Sequence, residues 1–252
     1  MKLKKVSIEK LNEEPYAKII CYPKPNKKEL EKRLKELKKL KVKSLEFKGE
    51  KEIFNIPVLG KGCVGIVLIA NLNNEKAALK IRRVDADRTH MRHEAEMLRK
   101  ANSVKVGPKL ITATKNFLLM QYIEGFLLPK WIEKQHEKTK IKTVLREILE
   151  QCWLLDKIGL DHGELSHAPK HIIINKEDNP FIIDFETASV TRKTSNVTSA
   201  CQFLFISGST AEKITEKLGK RDKKVIIEAL RNYKLEKNLE NFKNVIQACN
   251  LQ

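Results

Sequence analysis

The chain has few cysteines, and they are scattered. Cys21, Cys63, Cys152, Cys201 and Cys249 form no CxxC pair and no metal spacing, so buried thiols in a reducing cytosol are expected. Aromatic residues make up only 6% of the chain and do not interleave with its basic runs, which argues against stacking platforms for single-stranded nucleic acid. Long apolar runs are missing too. None can span a bilayer, and Met1-Lys2-Leu3-Lys4-Lys5 is not followed by a signal-peptide core. A cytoplasmic protein without a membrane partner is expected.

Acidic residues are in the minority: 32 Asp and Glu against 50 Lys and Arg leave a net charge of +18. Such an excess fits an RNA or ribonucleoprotein contact through a basic surface, a nucleotide substrate, or the lysine-rich composition of a thermophile. The densest cluster runs from Lys27 to Lys43. Apolar residues are present in ordinary amount, 41% of 252 positions. That is enough for one large domain or two lobes, and it excludes a wholly disordered chain.

The most informative stretch is Leu160–Ser189. Gly159 closes a helical pattern, and two short apolar runs, Ile172–Ile174 and Phe181–Ile183, flank the turn formers of Asn175–Pro180. That pattern reads as a hairpin. A hairpin brings its open ends together, which places Glu164, His171 and Asp184 near one another. Two carboxylates and a histidine so gathered can hold a cation and orient a hydroxyl. Read without that chemistry, they are ordinary loop polar residues.

Toward the N-terminus, Tyr16–Tyr22 reads as a strand ended by Pro23 and Pro25. Asn26 caps a helix reaching about Leu40, with Leu30, Leu34, Leu37 and Leu40 as its apolar stripe, and Val42–Phe47 reads as another strand. Residues 1–49 therefore form a strand–helix–strand extension. Next comes Leu59-Gly60-Lys61-Gly62-Cys63-Val64-Gly65-Ile66-Val67. Glycines let a backbone bend tightly and approach phosphates with no Cβ in the way. A dinucleotide-binding turn would open a helix here. Instead Ile66–Ala70 continues as a strand, Asn71–Asn74 makes a polar turn, and Ala77–Ile81 is a second strand carrying Lys80. A lysine among apolar strand residues needs a counter-charge, and Glu94, on a helix predicted over Arg92–Ala101, can supply it.

In order and spacing, four motifs now resemble the protein kinases: GKGCVGIV their glycine-rich loop, AALK their strand lysine, HGEL their catalytic loop, and IIDFE their metal-binding loop. The resemblance covers roughly residues 53–190. HGEL, short spacings and a missing activation segment point to the compact atypical kinases, such as the Rio-type kinases, the small kinase of the archaeal tRNA-modification complex, and archaeal Ser/Thr kinases of this size. The resemblance implies a two-lobed α+β fold with a reduced C-lobe, divided as extension 1–49, N-lobe 50–125 and C-lobe 126–252. It implies ATP with Mg or Mn as cofactors. Gly60, Lys61, Gly62, Gly65 and Val67 would then cover the nucleotide, and Lys80, held by Glu94, would bind its α/β-phosphates. Gln121 and Ile123 would bond the adenine edge from a hinge where Met120 sits behind the base. Glu164 would take the proton of the acceptor hydroxyl, and Asp184 would hold the metal.

The pattern departs from the family in several places. Glu164 stands where an aspartate is usual, and Glu186 replaces the glycine after Asp184-Phe185, which removes a flexible hinge. The segment from Glu164 to the next strand is longer than usual. Counting back from that strand puts His171 at the second metal-ligand position; counting forward from Glu164 puts Pro169 there. With the strand as anchor, His171 is the candidate. A helix is well marked over Lys138–Lys157, with Ile141, Val144, Leu145, Ile148, Leu149, Cys152 and Leu155 on its apolar face. Beyond Asp184 no APE motif follows. Ser189–Ser199 reads as a solvated linker, or as a substrate-binding or phosphorylated loop, and three short amphipathic helices follow. The expected function is ATP-dependent phosphoryl transfer to Ser or Thr hydroxyls of an unidentified protein. An ATPase-type assembly factor on an RNA–protein complex and a non-catalytic nucleotide-binding module are the alternatives.

Overall fold

A computed structural model describes residues 4–73 and 75–252. Asn74, in the expected Asn71–Asn74 turn, and the first three residues of the Met1–Lys5 start lie outside the described residues. The chain divides into two units. One runs up to Glu96 and includes Lys109–Tyr122; the other comprises Met97–Pro108 and Ile123–Gln252.

In the first unit β1 (Lys4–Ser7) is followed by helices α1 (Tyr16–Ile20) and α2 (Lys27–Lys39), then β2 (Ser44–Phe47). A small hairpin, β3 (Lys51–Ile53) and β4 (Ile56–Val58), leads to β5 (Gly60–Lys61), β6 (Gly65–Asn71) and β7 (Lys76–Arg82). Helix α3 (Arg92–Asn102), which belongs to this unit only as far as Glu96, and strands β8 (Leu110–Ala113) and β9 (Phe117–Gln121) follow. The main sheet has the order β1-β2-β6-β7-β9-β8, with β5 paired to β6, and all its pairs are antiparallel. The extension thus adds two strands to the sheet that carries Lys80, and Val6, Ile20, Leu37, Leu45 and Phe47 share one buried core with Ile66, Leu79 and Phe117.

Helix α2 begins where the sequence predicts, with Asn26 Oδ1 accepting from the Glu29 N–H at 3.2 Å. Tyr16–Tyr22 is not the predicted strand: Tyr16–Ile20 is a helix, and Cys21 and Tyr22 form the turn that follows it. Tyr16, Ala17, Ile19 and Ile20 are all buried and Lys18 alone reaches solvent, and five residues with a single polar position carry no periodicity that separates helix from strand. The extension's first strand is Lys4–Ser7, at the sheet's edge, where an open ladder tolerates a lysine-rich sequence.

The second unit starts with β10 (Gly125–Leu127), α4 (Leu128–Lys134) and α5 (Lys138–Lys157). The predicted hairpin is β11 (Ile172–Asn175) against β12 (Pro180–Ile182), in register Ile172↔Ile182, and β10 adds a third strand beside β11. Helices α6 (Asn196–Cys201), α7 (Ser209–Leu218), α8 (Lys223–Leu235) and α9 (Leu239–Ala248) complete it, with a π-helical turn at Gln202–Ile206. Every residue on the predicted apolar face of α5 is buried.

Candidate functional site

The first unit holds the glycine turn and the strand lysine. β5 and β6 fold back with Gly60 opposite Val67, and the Gly62 N–H donates to the Gly65 carbonyl at 2.8 Å across the turn. Gly65 lies directly on the lysine: a Cβ there would sit 3.0 Å from Lys80 Cγ and 3.0 Å from the Ile81 carbonyl oxygen, so a side chain would crowd the lysine and require β7 to give slightly. Lys80 is mid-strand, between Val67 of β6 and Leu118 of β9. Its Nζ lies 2.9 Å from both carboxylate oxygens of Glu94, and both side chains are buried. Burying two charges is costly unless their geometry is good, and a two-oxygen grip fixes the ammonium's position. Met120, on β9, packs with Met91, Ala95 and Leu118. Gln121 ends β9 and exchanges hydrogen bonds with the Lys109 backbone, its amide donating to the carbonyl at 2.8 Å and its Oε1 accepting from the N–H at 3.2 Å.

The second unit holds the other candidates at the hairpin's open end. Glu164, His171 and Asp184 each offer a donor atom within 4.8 Å of the others. His171 Nε2 is 3.2 Å from Glu164 Oε2. The His171 ring is buried, and its Nδ1 has no hydrogen-bond partner among the described residues. Asp184 has φ 70, a left-handed conformation that non-glycine residues seldom adopt and that recurs at functional sites. Two carboxylates and one imidazole whose buried Nδ1 is in want of a partner fit a divalent cation, with Mn²⁺ accepting the nitrogen more readily than Mg²⁺.

A polar scaffold holds this end in place. The His162 N–H donates to Asn196 Oδ1 at 2.8 Å, and its ring Nε2 lies 3.0 Å from the Ile183 carbonyl. A carbonyl only accepts, so Nε2 carries the proton. Burial is the main cause that pushes the His162 pKa down to about 4, and the ring is neutral at pH 7. Asp161 accepts from Arg192 Nε at 2.6 Å and from the Ser195 N–H at 2.7 Å. Its backbone bonds Ser189 in both directions. Gly163 takes φ +91 beneath Arg192, whose Nη2 would lie 2.4 Å from a Cβ, so any other residue there strains the backbone and pushes the guanidinium aside. Asn196 donates to Asp156 Oδ1 at 2.8 Å and to the Leu160 carbonyl at 2.7 Å, and the Tyr233 hydroxyl donates to Asp156 Oδ2 at 3.0 Å.

Sequence reasoning missed this scaffold. Asp156, Asn196 and Tyr233 sit far apart in the chain, and none belongs to a motif. Ser189–Ser199 is correspondingly not a solvated linker: Asn196 and Val197 are buried and begin α6.

An antiparallel sheet with a glycine turn, a buried lysine–glutamate pair on it, and an HGEL-to-Asp-Phe hairpin define a protein kinase-like chain. A sequence model of the RIO domain, an atypical protein kinase family, matches residues 70–201, just over half the chain, and the chain belongs to that family. It is also similar to the uncharacterized protein MJ1211 of Methanocaldococcus jannaschii, 33% identical over 117 residues, which span 46% of this chain and 98% of that relative. Membership makes the protein an atypical kinase or ATPase-type enzyme, and implies the use of ATP and a divalent metal in general terms. No helix among the described residues is long and apolar enough to cross a membrane.

Proposed function

We propose that the protein transfers the γ-phosphoryl group of ATP to Ser or Thr hydroxyls, its own included. The gathering of Glu164, His171 and Asp184 at the hairpin's end carries this reading, and the buried Lys80–Glu94 pair supports it. Lys80, oriented by Glu94, binds α/β-phosphate oxygens, and the glycine turn covers the phosphates with its backbone. Glu164 accepts the proton of the incoming hydroxyl; its side chain remains about a third exposed, so an acceptor can reach it. Asp184 and His171 hold the divalent metal, which neutralises charge on the phosphates when bound. Glu164 is long enough to turn one oxygen toward His171 and leave the other for the hydroxyl. The test is incorporation of label from γ-labelled ATP into the protein in Mg²⁺ and in Mn²⁺. Label on Ser or Thr supports the reading; none in either metal removes it.

A second reading is ATP hydrolysis without a protein acceptor. The segment after Asp184 favours it, because Asp161, Arg192 and Ser195 tie that segment down in the place where a peptide-docking platform would need a longer loop. Binding of nucleotide without turnover is the remaining alternative.

A further inference from the structure

One aromatic ring in the N-terminal extension carries two cations. Tyr22, just past α1, has Lys61 Nζ 5.2 Å and Arg83 Cζ 5.0 Å from its ring centroid, both within cation–π range. Lys61 lies in the glycine turn, and Arg83 directly follows β7. The Arg83 Nη1 also donates to the Gly62 carbonyl at 3.1 Å, and its backbone N–H donates to the Val64 carbonyl at 2.8 Å. Asp85 holds the rest of the guanidinium, with Oδ1 2.9 Å from Nε and Oδ2 2.8 Å from Nη2. That grip fixes the plane of the guanidinium while Nη1 points at the turn. The Tyr22 carbonyl in turn accepts from the Val84 N–H at 2.9 Å, so ring and guanidinium are anchored to the same piece of chain. A turn of Gly60, Gly62 and Gly65 has wide conformational freedom of its own. Here it is tethered at Lys61, Gly62 and Val64.

We infer that Tyr22 and Arg83 are positioning residues that clasp the glycine turn, so that the extension sets where the turn lies before nucleotide arrives. The consequence for ATP rests on reading the turn as the phosphate cover; the clasp itself does not.

Cys63 allows the two to be tested apart. It sits within the turn and is exposed, whereas the other four cysteines are buried. Alkylation of the full-length protein by N-ethylmaleimide, a neutral reagent, without nucleotide, therefore reports how freely the turn moves. Tyr22→Leu removes the ring and leaves the charge of Arg83 beside the thiol. It is expected to speed alkylation roughly three- to tenfold, the scale of one lost cation–π or charged contact. Arg83→Lys keeps a cation but cannot hold Asp85 and Gly62 together, and is expected to do the same. Tyr22→Phe keeps the ring and stays at the wild-type rate. An unchanged rate in Tyr22→Leu, or a Tyr22→Phe rate equal to it, overturns the clasp. If Tyr22→Leu takes up more than one reagent per chain, a sign of unfolding, Lys61→Gln decides in its place. In a second arm, Tyr22→Leu should weaken MgATP binding by a similar factor and leave adenosine binding unchanged, a split that general destabilisation does not produce. Wild-type protein that binds no MgATP would overturn the kinase reading, with the alkylation rates still deciding the clasp.

Discussion

Lys80 and Glu94 are buried together, and that burial changes what mutation of either does. An exposed lysine can be removed with the fold intact. At Lys80 the change takes away the ammonium facing a buried carboxylate, at a cost of about 3–5 kcal/mol. Lys80→Ala is therefore expected to lose phosphoryl transfer and to melt earlier in urea; unchanged turnover together with an unchanged MgATP-induced thermal shift would contradict the role of Lys80. His171 yields a metal prediction. If its imidazole replaces an oxygen ligand, Mn²⁺ supports turnover better than Mg²⁺, and His171→Asn narrows the difference. Equal rates in both metals, with His171→Ala unaffected, would make it a bystander. His162 yields a pH prediction. Its pKa is about 4 in the fold and about 6.5 in an unfolded chain. Between those values the unfolded state binds the extra proton, so stability falls as pH drops from about 6.5 to 4, by at most about 3 kcal/mol. Urea melts in EDTA across that window should show a steeper loss for wild type than for His162→Gln.

At the scale of elements, much was legible. The Asn26 cap, the seven-residue apolar face of α5 and the β11–β12 hairpin each follow from a local rule, and each forms where that rule puts it. The hairpin's geometry alone was enough to bring Glu164, His171 and Asp184 together. Tyr16–Ile20 is too short, with Lys18 its one solvent-facing residue, for periodicity to tell helix from strand, and the four edge residues of β1, Lys-Lys-Val-Ser, carry no strand signal. The buried arginine of α2 was equally silent. In a lysine-rich helix Arg33 looks like one more solvated charge, yet it is fully buried. It donates to the carbonyls of Ile20 and Arg82 at 2.8 and 2.6 Å and to Asn116 Oδ1 at 3.2 Å. Glu36, one turn on, accepts from the Asn116 side chain at 2.6 Å. These bonds pin α2 to the end of the Lys80 strand. Arg33→Met is expected to destabilise by about 3 kcal/mol or more, since it strands buried acceptors; a urea midpoint within error of wild type would contradict that. The long-range partners made the scaffold unreadable, because no local pattern announces that Asn196 bonds Asp156 and Leu160.

At the scale of the whole molecule, the +18 charge is tested on α2. Lys28, Lys32, Lys35 and Lys39 are exposed on α2. Deleting residues 1–49 is no test of them, because β1, β2 and their core residues belong to the same sheet as Lys80. Reversing those four lysines to glutamate keeps the core. If the helix contacts RNA, binding to a structured RNA falls steeply with salt in the wild type, and the slope shrinks in the variant. No RNA binding at low salt would leave the charge as a solvated surface.

Phosphorylation of hydroxyls by this RIO-family chain, with Glu164 as the proposed proton acceptor, is tested in a single turnover. Enzyme in excess over γ-labelled ATP, with Mn²⁺, is quenched over time, and label on protein Ser and Thr is counted against free phosphate. Protein label is expected to accumulate first, and Glu164→Gln to slow it roughly 10²–10⁴-fold while Glu164→Asp keeps part of the rate. Free phosphate with no protein label, or a Glu164→Gln variant as fast as wild type, would contradict it.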